Sequence, residues 1–217
     1  MKAILETIKD NHLFEDIAVT ELESLLNCLS YKTKKYKKDA LVVMAGYIID
    51  YIGIVISGSV KIIKEDIEGN TTILTELEQA EVFAEVFVCA EIAYSPVTIF
   101  ACEETEILFL NYKRIITTCS TGCEYHTRLV ENMLKLIARK NLLLNDKIEI
   151  LSKRSTREKL LCFFDKNRGI ARKFTIPYNR EELASYLCVD RSAMSNELSK
   201  MRNEGLIRYN KNRFELL

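Results

Sequence analysis

The sequence predicts an α+β chain in three consecutive parts: an N-terminal β jelly roll, one long helix and a C-terminal winged helix-turn-helix. Three observations support this fold class. Short β-type runs follow one another from residue 31 to 110, a helical apolar stripe covers residues 129–151, and two short helical segments with a tight turn occupy residues 180–203. The predicted parts are residues 1–121, 122–151 and 152–217.

The first part begins with two predicted helices, residues 3–10 and 18–29. In the second of them four leucines share one face, which is typical of a helix that packs on a core. After Tyr31 the apolar period becomes that of β structure, and turn sequences such as Ser57-Gly58 separate the runs. Many short strands at even spacing predict a jelly roll. The predicted strands are residues 41–44, 51–56, 59–64, 71–77, 96–101 and 106–110.

The long helix carries apolar residues that repeat every seven positions. An apolar heptad seam favours pairing with a second copy of the same helix in a parallel dimer. The alternative is that the helix lies on its own barrel. Lys140 and Lys147 fall near the seam and count against the dimer, although long lysine side chains can reach outward. We predict a dimer seam made of Val130, Met133, Ile137, Leu144 and Leu151.

The segment that follows Asn179 has the pattern of a helix-turn-helix. Asn179 and Glu182 form a capping-box sequence at the start of the first helix. Cys188-Val189-Asp190 is the predicted turn, in which Asp190 is a good N-cap for the second helix. One side of that second helix is apolar and the other carries short polar side chains and an arginine. Such a helix can enter the DNA major groove, where Arg bridges guanine and Asn bridges adenine.

The last residues predict a wing, a β-hairpin formed by residues 206–209 and 213–216. Its Arg208, Lys211 and Arg213 are candidate phosphate contacts. The alternative for the two-helix segment at residues 180–207 is an ordinary helical hairpin with a solvated face. The full set of predicted DNA contacts is Arg180, Arg191, Ser192, Ser195, Asn196, Ser199, Lys200, Lys211 and Arg213.

Charge is divided unequally between the two halves of the chain. The whole sequence is neutral, with 31 basic and 31 acidic residues. Residues 151–217 hold 15 of the basic and 8 of the acidic residues, a net charge of +7, which leaves 16 basic and 23 acidic residues, or −7, in residues 1–150. A cationic C-terminal part attracts a phosphate backbone, with an affinity that falls as salt rises. The anionic N-terminal part is not expected to contact DNA.

The composition is that of an ordinary globular protein, and no apolar run approaches the length of a membrane span. The amphipathic N-terminus contains acidic residues and does not resemble a signal peptide, so we expect a cytoplasmic protein without a membrane partner. The seven cysteines are scattered. Cys119 and Cys123 could face each other on a helix, but two thiolates do not complete a metal site, and buried free thiols are the preferred interpretation.

A jelly roll, a long helix and a winged helix-turn-helix in this order resemble the Crp/Fnr family of bacterial transcription regulators. The sequences that carry the resemblance are Ala45-Gly46, the strand from Tyr51 to Val60, Glu68-Gly-Asn70, Val82-Phe-Ala-Glu85 and Asp190-Arg-Ser-Ala-Met-Ser195. The resemblance implies a homodimer with a cyclic-nucleotide-binding-like sensor domain that binds a palindromic promoter site and contacts RNA polymerase.

The resemblance also assigns positions within the predicted recognition helix. Arg191 occupies the position of the family's base-reading arginine, and Asn196 stands where a second arginine is common. Ser192 replaces the glutamate of the cyclic-AMP receptor protein. The operator of that protein therefore cannot be transferred to this chain.

The residues that hold a cyclic nucleotide in family members are only partly present. Those members have Gly-Glu and, ten residues after that Glu, Arg followed by Ser or Thr, whose Arg pairs with the cyclic phosphate. Here Ala84 replaces the Gly, Glu85 is retained, and Ser95-Pro96 replaces the Arg pair; residues 65–112 contain no Lys or Arg. We therefore expect no tight binding of cyclic AMP or cyclic GMP. The effector pocket is predicted at Phe83, Glu85, Ser95 and Thr98, with a filled apolar core as the alternative.

Other cofactors and functions have less support. An iron–sulfur cluster normally needs four thiolates, whereas the first 80 residues contain only Cys28. A haem needs axial ligands, and His12 and His126 are the only histidines. No nucleophile elbow, phosphate loop or spaced metal-ligand set is present, so an enzyme is not expected. The alternative to a DNA-binding regulator is a β-barrel interaction or small-ligand-binding module without DNA-binding activity.

Overall fold

The structure of the protein is a computed structural model that describes residues 2–117, 124–168 and 172–217. The chain forms two compact units, Met1–Ala138 and Arg139–Leu217, each with its own hydrophobic core. The long helix α5 (Glu124–Leu151) contributes residues to both units. Cys119 and Cys123 lie outside the described residues. In the part of the chain that the structure describes, no helix is long and apolar enough to cross a membrane.

Two four-stranded antiparallel sheets form the N-terminal unit. Their strand orders are β1-β8-β3-β6 and β2-β7-β4-β5, so most neighbours in a sheet are distant in sequence. This crossed order confirms the predicted jelly roll. The strands are β1 Lys32–Tyr36, β2 Leu41–Val43, β3 Tyr51–Ser57, β4 Val60–Glu65, β5 Thr71–Leu77, β6 Val82–Phe83, β7 Thr98–Ala101 and β8 Thr105–Asn111.

Helices cover the same core. The two predicted N-terminal helices are present, and the leucine face of the second one is buried. The sequence did not reveal β6 or two short helices, because elements of two to five residues are too short to show a period. The helices of this unit, apart from α5, are α1 Lys2–Ile8, α2 Val19–Cys28, α3 Glu85–Cys89 and α4 Tyr112–Ile116, with a 3-10 turn at His12–Phe14.

The first half of α5 packs on this core. Leu129, Met133 and Leu136 lie on one face of the helix, at i, i+4 and i+7, and are buried there. Asn132 fixes the position, since its Nδ2 donates to the carbonyl oxygens of Leu13 at 3.3 Å and Glu15 at 2.7 Å. In this half, one face of the helix lies on its own barrel.

Met133 therefore does not occupy the position predicted for it in a dimer seam. It is only 4% exposed, within the core of the N-terminal unit. The physical reason is that the apolar stripe of α5 is wider than a coiled-coil seam, and Met133 falls on its core-facing edge.

The C-terminal unit is a winged helix-turn-helix. Its core contains Phe163 and Phe164 of α6, which pack against the next two helices and against a three-stranded sheet of order β10-β11-β9. The predicted two-stranded wing has this third strand, β9, which is only three residues long. The elements are α6 Thr156–Arg168, β9 Lys173–Thr175, α7 Arg180–Leu187, α8 Arg191–Asn203, β10 Ile207–Asn210 and β11 Arg213–Leu216.

Gly53 in β3 provides the first test of the packing. A Cβ atom at this position would lie 2.0 Å from Cζ of the buried Phe83 ring. We expect Gly53→Ala to lower the free energy of unfolding by about 1–3 kcal/mol, because the ring must move within a packed core. Urea denaturation measures the loss. In a Phe83→Leu background the same substitution should cost less, and an unchanged urea midpoint for Gly53→Ala alone would contradict this packing.

Candidate nucleic-acid interface

The first helix of the helix-turn-helix, α7, begins at a complete capping box. The Oδ1 atom of Asn179 accepts hydrogen bonds from the backbone nitrogens of Glu181 at 2.9 Å and Glu182 at 3.0 Å. In return, the Asn179 nitrogen donates to the Glu182 carboxylate at 2.7 Å. The backbone N–H groups of Asn179, Glu181 and Glu182, which have no partner within the helix, thus find side-chain acceptors. The local sequence therefore determines where this helix starts.

The turn between α7 and α8 has the predicted sequence. Cys188 adopts the left-handed conformation, with φ 50° and ψ 56°, and ends α7. Two residues later Asp190 caps α8, since its Oδ1 accepts from the Ala193 nitrogen at 2.7 Å. A left-handed residue followed by a strong N-cap reverses the chain within three residues.

Helix α8 has one buried and one open face. Met194, Leu198 and Met201 are fully buried against α6 and α7. On the opposite face the exposed side chains are those of Arg191, Ser192, Asn196 and Lys200. Ser195 and Ser199 are partly buried, and the Ser199 hydroxyl donates to the Ser195 carbonyl oxygen at 3.0 Å. The open face therefore carries donors that match base edges in a major groove.

An arginine from α6 fixes the C-terminal half of α8. Two nitrogens of the Arg157 guanidinium donate to the Glu204 carboxylate at 2.7 and 2.8 Å, and its Nε donates to Glu197. The hydrogen bonds with Glu204 and Glu197 raise the Arg157 pKa. Such a bidentate fork restricts orientation as well as distance. No local pattern in the sequence marks Arg157, because its partners lie 40 and 47 residues away.

Arg180 lies in a different environment from the other predicted DNA contacts. Its guanidinium packs over the Tyr209 ring at 4.8 Å and the Phe214 ring at 5.1 Å. Burial lowers its pKa. The position joins the start of α7 to the wing by cation–π contacts, which gives Arg180 a structural role.

The wing presents three exposed cations. Arg208 and Arg213 lie on its two strands, and Lys211 occupies the tip with φ 54°. Asn212 beside it donates to the Ile176 carbonyl oxygen at 3.1 Å, which ties the tip to the strand β9 region. The basic side chains are thus held on a braced hairpin rather than on a free tail.

The end of α5 belongs to this unit and is fastened to it by two lysines. Lys147 lies 3.3 Å from the centre of the Tyr186 ring, and burial lowers its pKa. Lys166 of α6 forms ion pairs with Asp146 at 2.5 Å and Glu149 at 2.8 Å. Lys147 therefore turns toward α7, which removes the objection that it occupies the dimer seam.

Three of the four residues predicted as an effector pocket, Phe83, Glu85 and Ser95, are buried in the N-terminal unit, and Thr98 is half-buried. Phe83 is buried over Gly53, and Glu85 is 2% exposed. The Ser95 hydroxyl is also buried and donates to the Val97 carbonyl oxygen at 2.7 Å, while Thr98 Oγ1 accepts from the Ala45 nitrogen at 3.2 Å. These polar groups already have partners within the protein, which favours the filled-core alternative.

Ala84 keeps the backbone that a glycine would adopt. Its φ is 69°, in the left-handed region, just before helix α3. An alanine pays about 1–2 kcal/mol in this conformation. The chain therefore retains the local turn while a methyl group occupies the position where the family's glycine allows close approach.

Two family models match the sequence. One is described as a cyclic nucleotide-binding domain and matches residues 33–121; the other is described as a Crp-like helix-turn-helix domain and matches residues 157–217. Together with the open face of α8, they define the class: a DNA-binding transcription regulator with a cyclic-nucleotide-binding-like sensor domain.

The chain belongs to the Crp/Fnr family of transcription regulators. Solved structures share its fold over nearly the full length. The Catabolite Activator Protein of Thermus thermophilus is 20% identical with a TM-score of 0.51, and covers 95% of this chain and 94% of its own. DNR from Pseudomonas aeruginosa is 19% identical with a TM-score of 0.52, and covers 98% and 92%. No curated protein sequence matches the chain.

A third structure has a higher TM-score than these two. The c-di-GMP responsive global regulator CLP of Xanthomonas campestris is 17% identical with a TM-score of 0.58, and covers 92% of this chain and 99% of its own. At such identities the likeness concerns the fold alone.

The N-cap of α8 provides a test of how the recognition helix is held. We expect Asp190→Ala to lower the free energy of unfolding by about 1 kcal/mol, because the Ala193 nitrogen loses its acceptor. Asp190→Ser, which keeps a capping oxygen, should retain most of the stability. Thermal denaturation followed by circular dichroism compares the two, and equal losses would show that the cap does not contribute.

Proposed function

We propose that the protein is a homodimer that binds a two-fold-symmetric promoter site, with one α8 in each of two successive major grooves. The observation that carries the proposal is the division of α8 into a buried apolar face and an open face with Arg191, Ser192 and Asn196. Arg191 would read a guanine and Asn196 an adenine. The wing cations Arg208, Lys211 and Arg213 would contact phosphates and set the register.

The proposed dimer uses the exposed apolar row of α5. Starting at Val130, the row proceeds in alternating steps of four and three residues, which is the spacing of a coiled-coil seam. Its members Leu134, Leu144 and Ile148 are more than half exposed in the isolated chain. An apolar stripe of this kind needs a partner. The revised seam is Val130, Leu134, Ile137, Asn141, Leu144, Ile148 and Leu151.

Asn141 is the one polar member of that row. A single Asn in an apolar seam favours one register and a two-stranded arrangement at some cost in stability. Here its Oδ1 accepts from Asn145 at 3.0 Å. Across a dimer axis, Asn141 would face its own copy, which supports a parallel pair in register.

The proposed activity is regulation of transcription through an effector other than a cyclic nucleotide, with contacts to RNA polymerase, in the cytoplasm where promoter DNA is found. An effector alters DNA affinity only if it binds two arrangements of the protein unequally. No catalytic role is proposed for any residue of the chain.

Arg191 tests sequence reading. On a site selected from random DNA, Arg191→Ala should weaken specific binding by about 1–3 kcal/mol and leave non-specific binding nearly unchanged. The matched control is Lys211→Asn, which removes a wing charge but keeps a residue that tolerates positive φ. That variant should weaken both kinds of binding and reduce the salt slope by about 1. Fluorescence anisotropy at several salt concentrations separates the two patterns; equal effects on both kinds of DNA would refute base reading by Arg191.

Leu144 tests the dimer. Leu144 and Leu143 are adjacent and similarly exposed, at 61% and 69%, but point to different sides of α5. Leu144→Glu should convert the dimer to a monomer in sedimentation velocity, because it places two carboxylates in the seam, whereas Leu143→Glu should remain dimeric. A dimer that survives the Leu144 change but not the Leu143 change would place the seam on another face.

Cyclic nucleotides test the sensor proposal. Titration calorimetry with cyclic AMP and cyclic GMP should show no micromolar binding, because residues 65–112 offer the cyclic phosphate no Lys or Arg and Glu85 is buried. Micromolar affinity for either nucleotide would overturn this part of the proposal.

A further inference from the structure

A cleft of about 590 Å³ opens on the N-terminal unit, and Glu85 is not among the residues that line it. Its walls come mainly from one face of the β1-β8-β3 sheet, with Val42 of β2 on the other side. Lys32 pairs with Phe109, and Phe109 pairs with Gly53, so these residues stand in one row across the sheet. The residues that matter for its chemistry are Lys32, Lys34, Tyr36, Tyr51, Phe109 and Arg114.

The floor of the cleft is aromatic. The Phe109 ring lies 4.9 Å from the Tyr51 ring and 6.5 Å from the Tyr36 ring, both edge to face. Phe83 extends the cluster below, 6.4 Å from Phe109. Tyr51 and Phe109 are only partly buried. These side chains present ring faces and edges against which the planar ring of a ligand can stack, at the usual separation of aromatic pairs.

Two phenol hydroxyls on the floor are available to a ligand. Within the described ranges, neither the Tyr36 nor the Tyr51 hydroxyl has a hydrogen-bond partner in the protein, although Tyr36 is only 7% exposed. Burial raises the pKa of Tyr36 and raises that of Tyr51 to about 12. Both phenols therefore stay protonated near neutral pH and can donate to an acceptor.

The rim of the cleft is cationic. Lys32, Lys34 and Arg114 line it together with one acidic side chain, that of Asp50. None of the three cations has an ion-pair partner among residues 2–117, 124–168 and 172–217. Lys34 instead lies 4.8 Å from the centre of the Tyr36 ring. Lys35, the next residue, faces the other side of the strand and pairs with Glu106 at 3.8 Å.

We propose that this cleft binds a small aromatic anion, in which a planar ring stacks on Phe109 and Tyr51 while a carboxylate or phosphate group meets Lys32, Lys34 and Arg114. The cleft is large enough for one or two fused rings with such a group. Small-molecule pockets typically combine an apolar or aromatic lining with a few polar groups that fix the orientation of the ligand. Glu85, Ser95 and Thr98 do not line the cleft, and Phe83 lies below its floor. The site does not depend on the proposed dimer or on DNA binding.

The site explains how an acidic unit can still hold an anion. Residues 65–112 contain no Lys or Arg, so this stretch of the sequence offers no cation to a phosphate. The sheet order brings β1 next to β8 and places α4 at the end of β8, so cations from both sides of that interval meet at one cleft. Lys32 and Lys34 are far from Arg114 in the sequence, so only the fold brings these cations together.

The probe for the test is 2-naphthoate, with 2-naphthamide as its neutral counterpart and cyclohexanecarboxylate as its non-aromatic counterpart. The chain contains no Trp, so naphthoate emission and anisotropy are measured without tryptophan background. We expect saturable binding of one naphthoate per chain. Both counterparts should bind at least about tenfold more weakly, because the amide lacks the negative charge and cyclohexanecarboxylate lacks the aromatic ring. Binding should also weaken as salt rises.

Matched variants locate the site. Lys34→Gln and Phe109→Leu should each weaken 2-naphthoate binding by about tenfold, whereas Lys35→Gln, on the opposite side of the same strand, should leave it unchanged. Tyr51→Phe, which retains the ring, should give a smaller loss than Phe109→Leu. Thermal denaturation identifies any variant that fails to fold, and Arg114→Gln then replaces it in the comparison.

Three results would overturn the proposal: no saturable binding of 2-naphthoate, equal binding of the amide, or equal losses for Lys34→Gln and Lys35→Gln. Each of them leaves the DNA-binding measurements on Arg191 unaffected, so the two proposals fail independently.

Discussion

The burial of one face of α8 is the constraint on which the DNA-binding surface depends. Met194, Leu198 and Met201 can enter the core only if the opposite face of the helix turns outward. Because a helix is rigid, this one apolar contact orients every polar side chain on the open face at once. The capping oxygen of Asp190 and the fork of Arg157 then fix where the helix starts and how it is rotated. Apolar packing decides which face of α8 turns outward, and the polar contacts fix the position and rotation of the helix.

In α5, too, the burial of one face orients the rest of the helix, but this helix packs on two cores. Its apolar stripe is wide: Leu129, Met133 and Leu136 enter one core, whereas Leu134, Leu144 and Ile148 stay more than half exposed. Ile150, near its end, is buried in the core of the other unit. One continuous helix thus contributes side chains to two cores and leaves Leu134, Leu144 and Ile148 exposed.

The N-terminal unit has the jelly roll of cyclic nucleotide-binding domains. In its interior Phe83 and Glu85 are buried, and the Ser95 hydroxyl donates within the protein. An open cleft lies instead over Phe109, with cations at its rim. Because a strand alternates its side chains between two faces, Lys34 and Lys35 reach different environments although they are neighbours in sequence.

The sequence by itself determined the order of the parts, the capping box, the turn at Cys188 to Asp190, the faces of α8 and the absence of the phosphate-binding arginine, because each of these depends on residues within one or two turns of chain. The tertiary structure decided the rest. Met133 lies in the core and not in a seam, and Arg180 packs against the wing. Arg157 pairs with Glu204. Lys34, Phe109 and Arg114 line the same cleft. These contacts connect residues tens of positions apart, and only the paths of the strands and helices in space bring such residues together.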